Sequence, residues 1–204
     1  MNINDKIFAT LYDVVNDSVE SKLVGFRQMT AGAASGQVLE IGAGTGANFT
    51  FYKPDIRLTV LEKNEFMLTK LIDAAAKSGI YTNTVKGSSF YIPFADDSFD
   101  SIVTTLVLCM VEDLENTLLE IKRVLKSGGV LYFYEHVKSP KGIRSKFEDY
   151  INPLWKYFTN GCNLNRNLGM AISSCGFTKI HLENHQLSVG LPVKIPNIVG
   201  YAVL

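Results

Sequence analysis

Short apolar runs recur along the middle of the chain, at 38–41, 58–61, 81–86, 100–107 and 130–134. Runs of this length, bounded by turn residues, read as strands of a parallel sheet covered on both faces. The segments between them carry apolar residues at helical spacing. Leu68, Leu71, Ile72 and Ala75 predict a helix over 65–78, stopped by Gly79. Leu114, Leu118, Ile121 and Leu125 predict another that starts after Glu112-Asp113 and ends at Gly128-Gly129. Ahead of the first strand, Ile7, Leu11, Val14 or Val15, Leu23 and Phe26 predict helix within 5–31, and a short helix is expected around 46–52. Residues 167–175 read as a last helix, and 177–183 with 198–204 as closing strands that include an antiparallel hairpin. Alternation of this kind specifies one α/β domain over 1–204 with a mostly parallel, seven-stranded sheet and helices on both faces. Residues 137–170 interrupt the alternation. They hold a basic cluster (Lys138, Lys141, Arg144, Lys146) and the aromatic stretch Asn152-Pro153-Leu154-Trp155-Lys156-Tyr157-Phe158.

The densest chemistry follows the first strand. Gly42, Gly44 and Gly46 stand on alternate positions, so the backbone can turn sharply and approach a ligand without a Cβ in the way. A strand, a glycine turn and a helix form the place where open α/β sheets bind nucleotides. Glu40 adds a carboxylate where a pyrophosphate site would want neutrality or positive charge, which points to a nucleoside carrying a cation. The local pattern alone stays ambiguous, because Gly42-Ala43-Gly44-Thr45-Gly46-Ala47 also satisfies a dinucleotide fingerprint. Glu62 ends the second strand, placed to accept hydrogen bonds from ribose hydroxyls.

Two further motifs follow: Pro93-Phe94-Ala95-Asp96-Asp97-Ser98-Phe99-Asp100 before the fourth strand, and Leu119-Glu120-Ile121-Lys122-Arg123-Val124-Leu125-Lys126-Ser127-Gly128-Gly129 before the fifth. With the glycine turn and Glu62, they resemble the ordered motifs of class I S-adenosylmethionine-dependent methyltransferases over residues 36–136. The resemblance implies a Rossmann-like fold and S-adenosylmethionine as cofactor, leaving S-adenosylhomocysteine. It also implies a cofactor site of Glu40, Gly42, Ala43, Gly44, Gly46, Asn48, Glu62 and Lys63, with Thr105 and Leu106 at the end of the fourth strand. An N-terminal helical lid over 1–35 would bring Tyr12 to the cofactor. Where many members carry an acid that holds the adenine amino group, this chain has Ser88-Ser89.

Beyond that core, Leu106-Val107-Leu108-Cys109, Glu135-His136-Val137, Pro153-Leu154-Trp155, Gly161-Cys162-Asn163-Leu164 and the ending Gly200-Tyr201-Ala202-Val203 are similar to the methyltransferase-like alkyl-thiol S-methyltransferases. That likeness implies a small, rather hydrophobic acceptor, thiol sulfur preferred. The substrate pocket is expected at Cys109, Trp155, Cys162 and Asn163, in a substrate-side insertion over 137–170 followed by a C-terminal helix and hairpin over 171–204. His136 and Glu135 are the candidates for acid–base help. Related segments occur in quinone C-methyltransferases and phospholipid N-methyltransferases, so quinone, phenol and lipid headgroup acceptors stay open. So does a non-catalytic binding module of the same fold.

Composition changes little. The 204 residues carry 20 basic and 20 acidic side chains, which gives no electrostatic reason to expect nucleic acid. The chain shows no 18-residue apolar run and no signal-peptide layout, and its three cysteines are widely spaced. A cytoplasmic monomer or homodimer with reduced thiols is expected, with peripheral membrane contact as an option. No spacing matches a metal site.

Overall fold

A computed structural model describes residues 20–188 and 194–204. Seven strands form one sheet in the order β3-β2-β1-β4-β5-β7-β6: β1 (Gln37–Ile41), β2 (Arg57–Glu62), β3 (Thr82–Lys86), β4 (Phe99–Thr105), β5 (Leu125–His136), β6 (Lys179–Ser188) and β7 (Lys194–Val203). The first five pair in parallel, and β7 runs antiparallel to both β5 and β6. Strand order reverses between β1 and β4, where Ile41 lies beside Thr104. That switch point opens a crevice at the carboxyl ends of these strands.

Alternation along the strands divides the core into two layers. Leu39, Ile41, Ile102, Leu131 and Phe133 pack on one face with Leu118, Ile121 and Val124 of helix α3 (Leu114–Val124) and with Leu168 and Ile172 of helix α5 (Leu168–Ser174). Val38, Leu58, Val60 and Val103 pack on the other, against Leu71 of helix α2 (Glu65–Ser78) and the turn at Ala31. Helix α1, described over 20–30, adds Leu23 and Phe26 beneath Tyr134. Side chains cap these helices as their sequences suggest. Asn64 accepts from the amides of Phe66 and Met67, Asp113 accepts from Asn116, and Gly79 closes α2 at φ 72°.

Three expectations need correction. The segment expected as helix over 46–52 is a tight turn ending in one 3₁₀ turn, Phe49–Phe51, because Gly46 sits at φ 85°. Gly128-Gly129 do not stop α3, which already ends at Val124. Leu125 is extended and starts β5 opposite Phe99. The glycines instead form an excursion inside β5, with Gly128 at φ 74°, before pairing resumes at Ser101 and Val130. The closing strands β6 and β7 are each ten residues long, so the expected loop between them is largely strand.

The insertion after β5 is built around helix α4 (Ile143–Phe158). Ser145 and Glu148 face inward, and Glu148 accepts hydrogen bonds from the Ser139 amide and hydroxyl. Its outer face is unusual. Ile143, Phe147, Tyr150, Leu154, Tyr157 and Phe158 are all exposed and recur at helical spacing as one apolar stripe. In the basic cluster, Lys138 pairs with Asp149 and Arg144 with Glu148, while Lys141 and Lys146 are exposed. Among the described residues no helix is long and apolar enough to cross a membrane.

Candidate active site

The glycine turn leaves β1 with Gly42, Gly44 and Gly46 all at positive φ (65°, 59° and 85°). A side chain at Gly42 would place its Cβ 2.6 Å from Cγ2 of Val107, so the turn and the loop after β4 meet with no room for a methyl group. Glu62 ties the turn down from β2. Its Oε2 accepts from the Gly44 amide at 2.9 Å and its Oε1 from the Asn64 amide at 2.8 Å. Burial holds the Glu62 carboxyl above its usual pKa, against the pull of those amides and that of Lys63. A carboxylate has about four acceptor sites, so these amides and that of Lys63 still leave capacity for a hydroxyl donor.

Behind the turn runs a buried polar chain. Nη1 of Arg27 donates to Oδ1 of Asn48 at 2.6 Å. Nδ2 of Asn48 donates to Oε1 of Glu40 at 2.7 Å and to Oγ1 of Thr105 at 3.1 Å. The Tyr52 hydroxyl donates to Oε2 of Glu40 at 2.9 Å. Burial drives the Glu40 carboxyl up to about 7, while the bonds from Tyr52 and Asn48 resist. Both oxygens of Glu40 and both ends of Asn48 are thus engaged within the protein. These bonds brace the turn from behind. Arg27, absent from the sequence candidates, closes this chain. A lone buried arginine in an N-terminal helix gives no motif signal.

The loop after β4 is fastened from several sides. Leu106 sits at φ 59°, a conformation bulky residues adopt only under constraint. Its amide donates to the Tyr134 carbonyl at 2.8 Å. Glu135, fully buried, accepts from the amides of Val107 at 3.1 Å and Cys109 at 3.2 Å. Burial pushes its carboxyl up to about 7, against those amides. With both oxygens on backbone, Glu135 shapes the loop. From the far side, the amide and Nδ2 of Asn163 donate to the Cys109 carbonyl at 2.9 and 3.0 Å. Nη1 of Arg166 donates to the Leu108 carbonyl at 2.7 Å and Nη2 to that of Val111. Arg166, whose Nη2 also donates to the Glu112 carbonyl at 3.4 Å, is the second residue the sequence did not single out, since its three targets are carbonyls far away in sequence.

His136 ends β5 four percent exposed. Its Nδ1 lies 3.5 Å from Sγ of Cys162, and its Nε2 is buried with no hydrogen-bond partner. Cys162 is half-buried, and its neighbours Cys109 and His136 hold its thiol well below the usual range against burial. Cys109 moves the other way, pushed up by the same contact and by burial. The structure therefore brings His136 and Cys162 together, with Asn163 fastening the Cys162 turn to the Cys109 carbonyl, while Trp155 Nε1 is buried with no hydrogen-bond partner. Other candidates stand apart. The Lys63 side chain is exposed, Ser88 caps its own turn by accepting from the Phe90 amide, and Ser89 meets Thr117 of α3. Tyr12 and the first part of the expected lid, 1–19, lie outside the described residues.

Comparison with known proteins agrees with this arrangement. A family described as "Methyltransferase domain" matches residues 39–133, from β1 through β5. Human thiol S-methyltransferase TMT1A is 35% identical over 201 residues, 96% of this chain and 82% of that protein. Human thiol S-methyltransferase TMT1B is 37% identical over 206 residues, 97% of this chain and 84% of that protein. The chain belongs to the thiol S-methyltransferase family. The fold is shared with a crystal structure of a SAM-dependent methyltransferase from Thermotoga maritima, at a TM-score of 0.69 and 19% identity, covering 98% of this chain and 97% of that one. The likeness to the thiol S-methyltransferases runs well past the cofactor-binding strands, through α4 and the Cys162 loop to the C-terminal hairpin. This member of the family is a S-adenosylmethionine-dependent methyltransferase.

Proposed function

We propose that this chain transfers a methyl group to the sulfur of a small, rather apolar thiol, with the donor held at the Gly42–Gly46 notch. The donor fits the residues present: a turn with no room for a Cβ, and a carboxylate with spare acceptor capacity at Glu62. S-adenosylmethionine supplies a methyl group made electrophilic by the positive charge on its own sulfur. The protein's part is to bind, to align and to manage one proton. Alignment accounts for about 7–11 kcal/mol of barrier at its upper range. Glu62 anchors the ribose hydroxyls, while Glu40, Asn48 and Thr105 keep the notch rigid.

The proton belongs to the acceptor. A free thiol of cysteine type has a pKa of about 8.5, and the thiolate is the nucleophile. The observation that carries the thiol reading is the buried, unpartnered Nε2 of His136. With Nδ1–H donating to the Cys162 sulfur, Nε2 keeps its lone pair and takes the thiol proton. Cys162 then plays the part of the orienting anion. Incubating the protein with S-adenosylmethionine and matched thiols, phenols and amines, while following S-adenosylhomocysteine, tests the reading. Turnover on thiols is expected, and turnover confined to the other acceptors would overturn it.

The stripe on α4 supports a second element of the reading, peripheral contact with a membrane surface. Six large apolar side chains face solvent along one helix, flanked by the exposed Lys141, Lys146 and Lys156. That pairing of apolar face and cationic border suits a helix lying in the plane of an anionic bilayer.

A further inference from the structure

One face of the sheet is left partly uncovered. β5 and β7 are interior strands, and on the side of α3 and α5 their residues Leu131, Phe133, Ile198 and Ala202 are buried. On the opposite side Val130, Tyr132, Tyr201 and Val203 stay partly exposed, and His181 of β6 is exposed beside them. Helix α1 covers this side at the carboxyl end of β5, where Phe26 stacks on Tyr134 at 4.4 Å and meets His185 at 5.0 Å. What remains is a groove of about 450 Å³, lined by Met29 and Ala33 from the end of α1 and its following turn and by the strand residues beneath them. Its size and its apolar, aromatic lining are those of a small-molecule site.

Strand register fixes an aromatic row along the floor. Tyr132 lies opposite Tyr201 across β5 and β7, and Tyr201 opposite His181 across β7 and β6. The rings follow: His181 stacks on Tyr201 at 5.4 Å and 28°, and Tyr132 is tilted against it at 6.4 Å. A further ring can join such a row offset or edge-on. Charge at the rim is one-sided. Nζ of Lys179 lies 5.9 Å from the centroid of the Tyr201 ring and makes no ion pair among the described residues. The neighbouring acid, Glu183, is taken up by His181 at 3.0 Å and His185 at 3.3 Å. An uncommitted ammonium beside an aromatic floor complements a flat ring that carries an anionic group.

We propose that this β5-β7-β6 face is a second binding site, for a small aromatic carboxylate whose ring packs on Tyr201 and whose anionic group meets Lys179. The groove stands apart from the methyl-transfer site. None of its lining residues belongs to the Gly42–Gly46 turn, to Glu62 or to the His136–Cys162 pair. Its ligand is therefore neither the donor nor the acceptor, and its binding does not depend on which acceptor is methylated.

Titration calorimetry of the full chain with 2-naphthoate, neutral 2-naphthol and the cation of 2-naphthylmethylamine tests the site. The acid should bind tightest and the cation weakest. Lys179→Gln should weaken the acid roughly two- to fivefold, the effect of one partly exposed charge pair, and leave the neutral probe unchanged. Tyr201→Ala should weaken the acid on the order of tenfold through loss of the ring contact. Saturation with S-adenosylhomocysteine should leave the acid's affinity as it was. Amide shifts in two-dimensional NMR should gather at Met29, Tyr132, His181 and Tyr201. No binding, equal affinity for acid and cation, or either variant matching the parent would overturn the proposal. So would displacement by S-adenosylhomocysteine, or shifts centred on the exposed stripe of α4. Should Tyr201→Ala fail to fold, Lys179→Gln, at an exposed position, decides with the NMR map.

Discussion

Nδ1 of His136 lies 3.5 Å from Sγ of Cys162 although the two residues are 26 positions apart. The contact exists because the chain leaves β5, runs the length of α4 and returns through the Gly161-Cys162-Asn163 turn. Asn163 fastens that turn to the Cys109 carbonyl. One nitrogen of the ring thereby faces the sulfur, and the other, Nε2, is buried with no hydrogen-bond partner.

Replacing His136 by Ala removes that proton acceptor. Turnover on a thiol should fall on the order of 100- to 10,000-fold, with donor affinity by calorimetry little changed. The residual rate should rise about tenfold per pH unit below the acceptor's own pKa of about 8.5, because only pre-formed thiolate then reacts. A variant with the original rate and pH profile would leave His136 a purely structural residue.

Glu62→Ala acts on the other partner. The Gly44 and Asn64 amides lose their acceptor and the ribose hydroxyls lose a charged one, a loss of about 1.5–3 kcal/mol per charged hydrogen bond. Donor affinity should drop roughly 10- to 100-fold. Titration calorimetry without acceptor measures it directly, and unchanged affinity would remove Glu62 from the donor site.

Glu40 makes stability depend on pH in a direction opposite to that of a salt-bridged acid. Burial lifts its folded pKa from 4.5 to about 7, so the native state holds a proton that the unfolded chain has released. Stability is therefore full below about 4.5, declines as pH rises through the window to about 7, and is flat above it. One pH unit of separation is worth about 1.4 kcal/mol, which sets the decline from this carboxyl on the order of 3 kcal/mol. Glu40→Gln keeps an acceptor for Asn48 and carries no charge. Denaturant unfolding at a series of pH values should show a shallower decline for the variant. The remaining slope belongs to Glu135, which burial also lifts to about 7, and to Glu62, which burial raises as well. An identical slope in both proteins would contradict the assignment.

The α4 stripe should be separable from catalysis. Phe147→Ser with Leu154→Ser removes two exposed apolar contacts without touching the core. Flotation with vesicles rich in anionic lipid should recover the parent chain and lose most of the variant. Equal recovery would remove the stripe from membrane contact.

The architecture was legible where local chemistry and burial agree. Apolar runs such as 38–41 are strands because both faces of the sheet are covered, and the alternate glycines mark the notch because their φ angles admit no side chain. Gly128-Gly129 misled because a glycine pair after a helical pattern reads as a stop, whereas here the helix had already yielded to strand pairing with Phe99. At the site, the residue types were visible but their partners were not. Glu40 and Asn48 were legible as residue types, but not the hydrogen bond that joins them, since buried polar groups take a partner within the protein. Cys162 and His136 were both candidates, yet only the return of the chain after α4 makes them a pair. Arg27 and Arg166 left no trace in any motif, because each serves distant protein groups such as the Asn48 side chain or the Leu108 carbonyl.

A co-crystal structure with S-adenosylhomocysteine and a small apolar thiol tests the central claim most directly. The account predicts the product's sulfur at the Gly42–Gly46 notch, ribose hydroxyls on Glu62, and the thiol sulfur within hydrogen-bond reach of Nε2 of His136. A nucleoside bound elsewhere, or a thiol lodged away from His136 and the Cys162 loop, would contradict it.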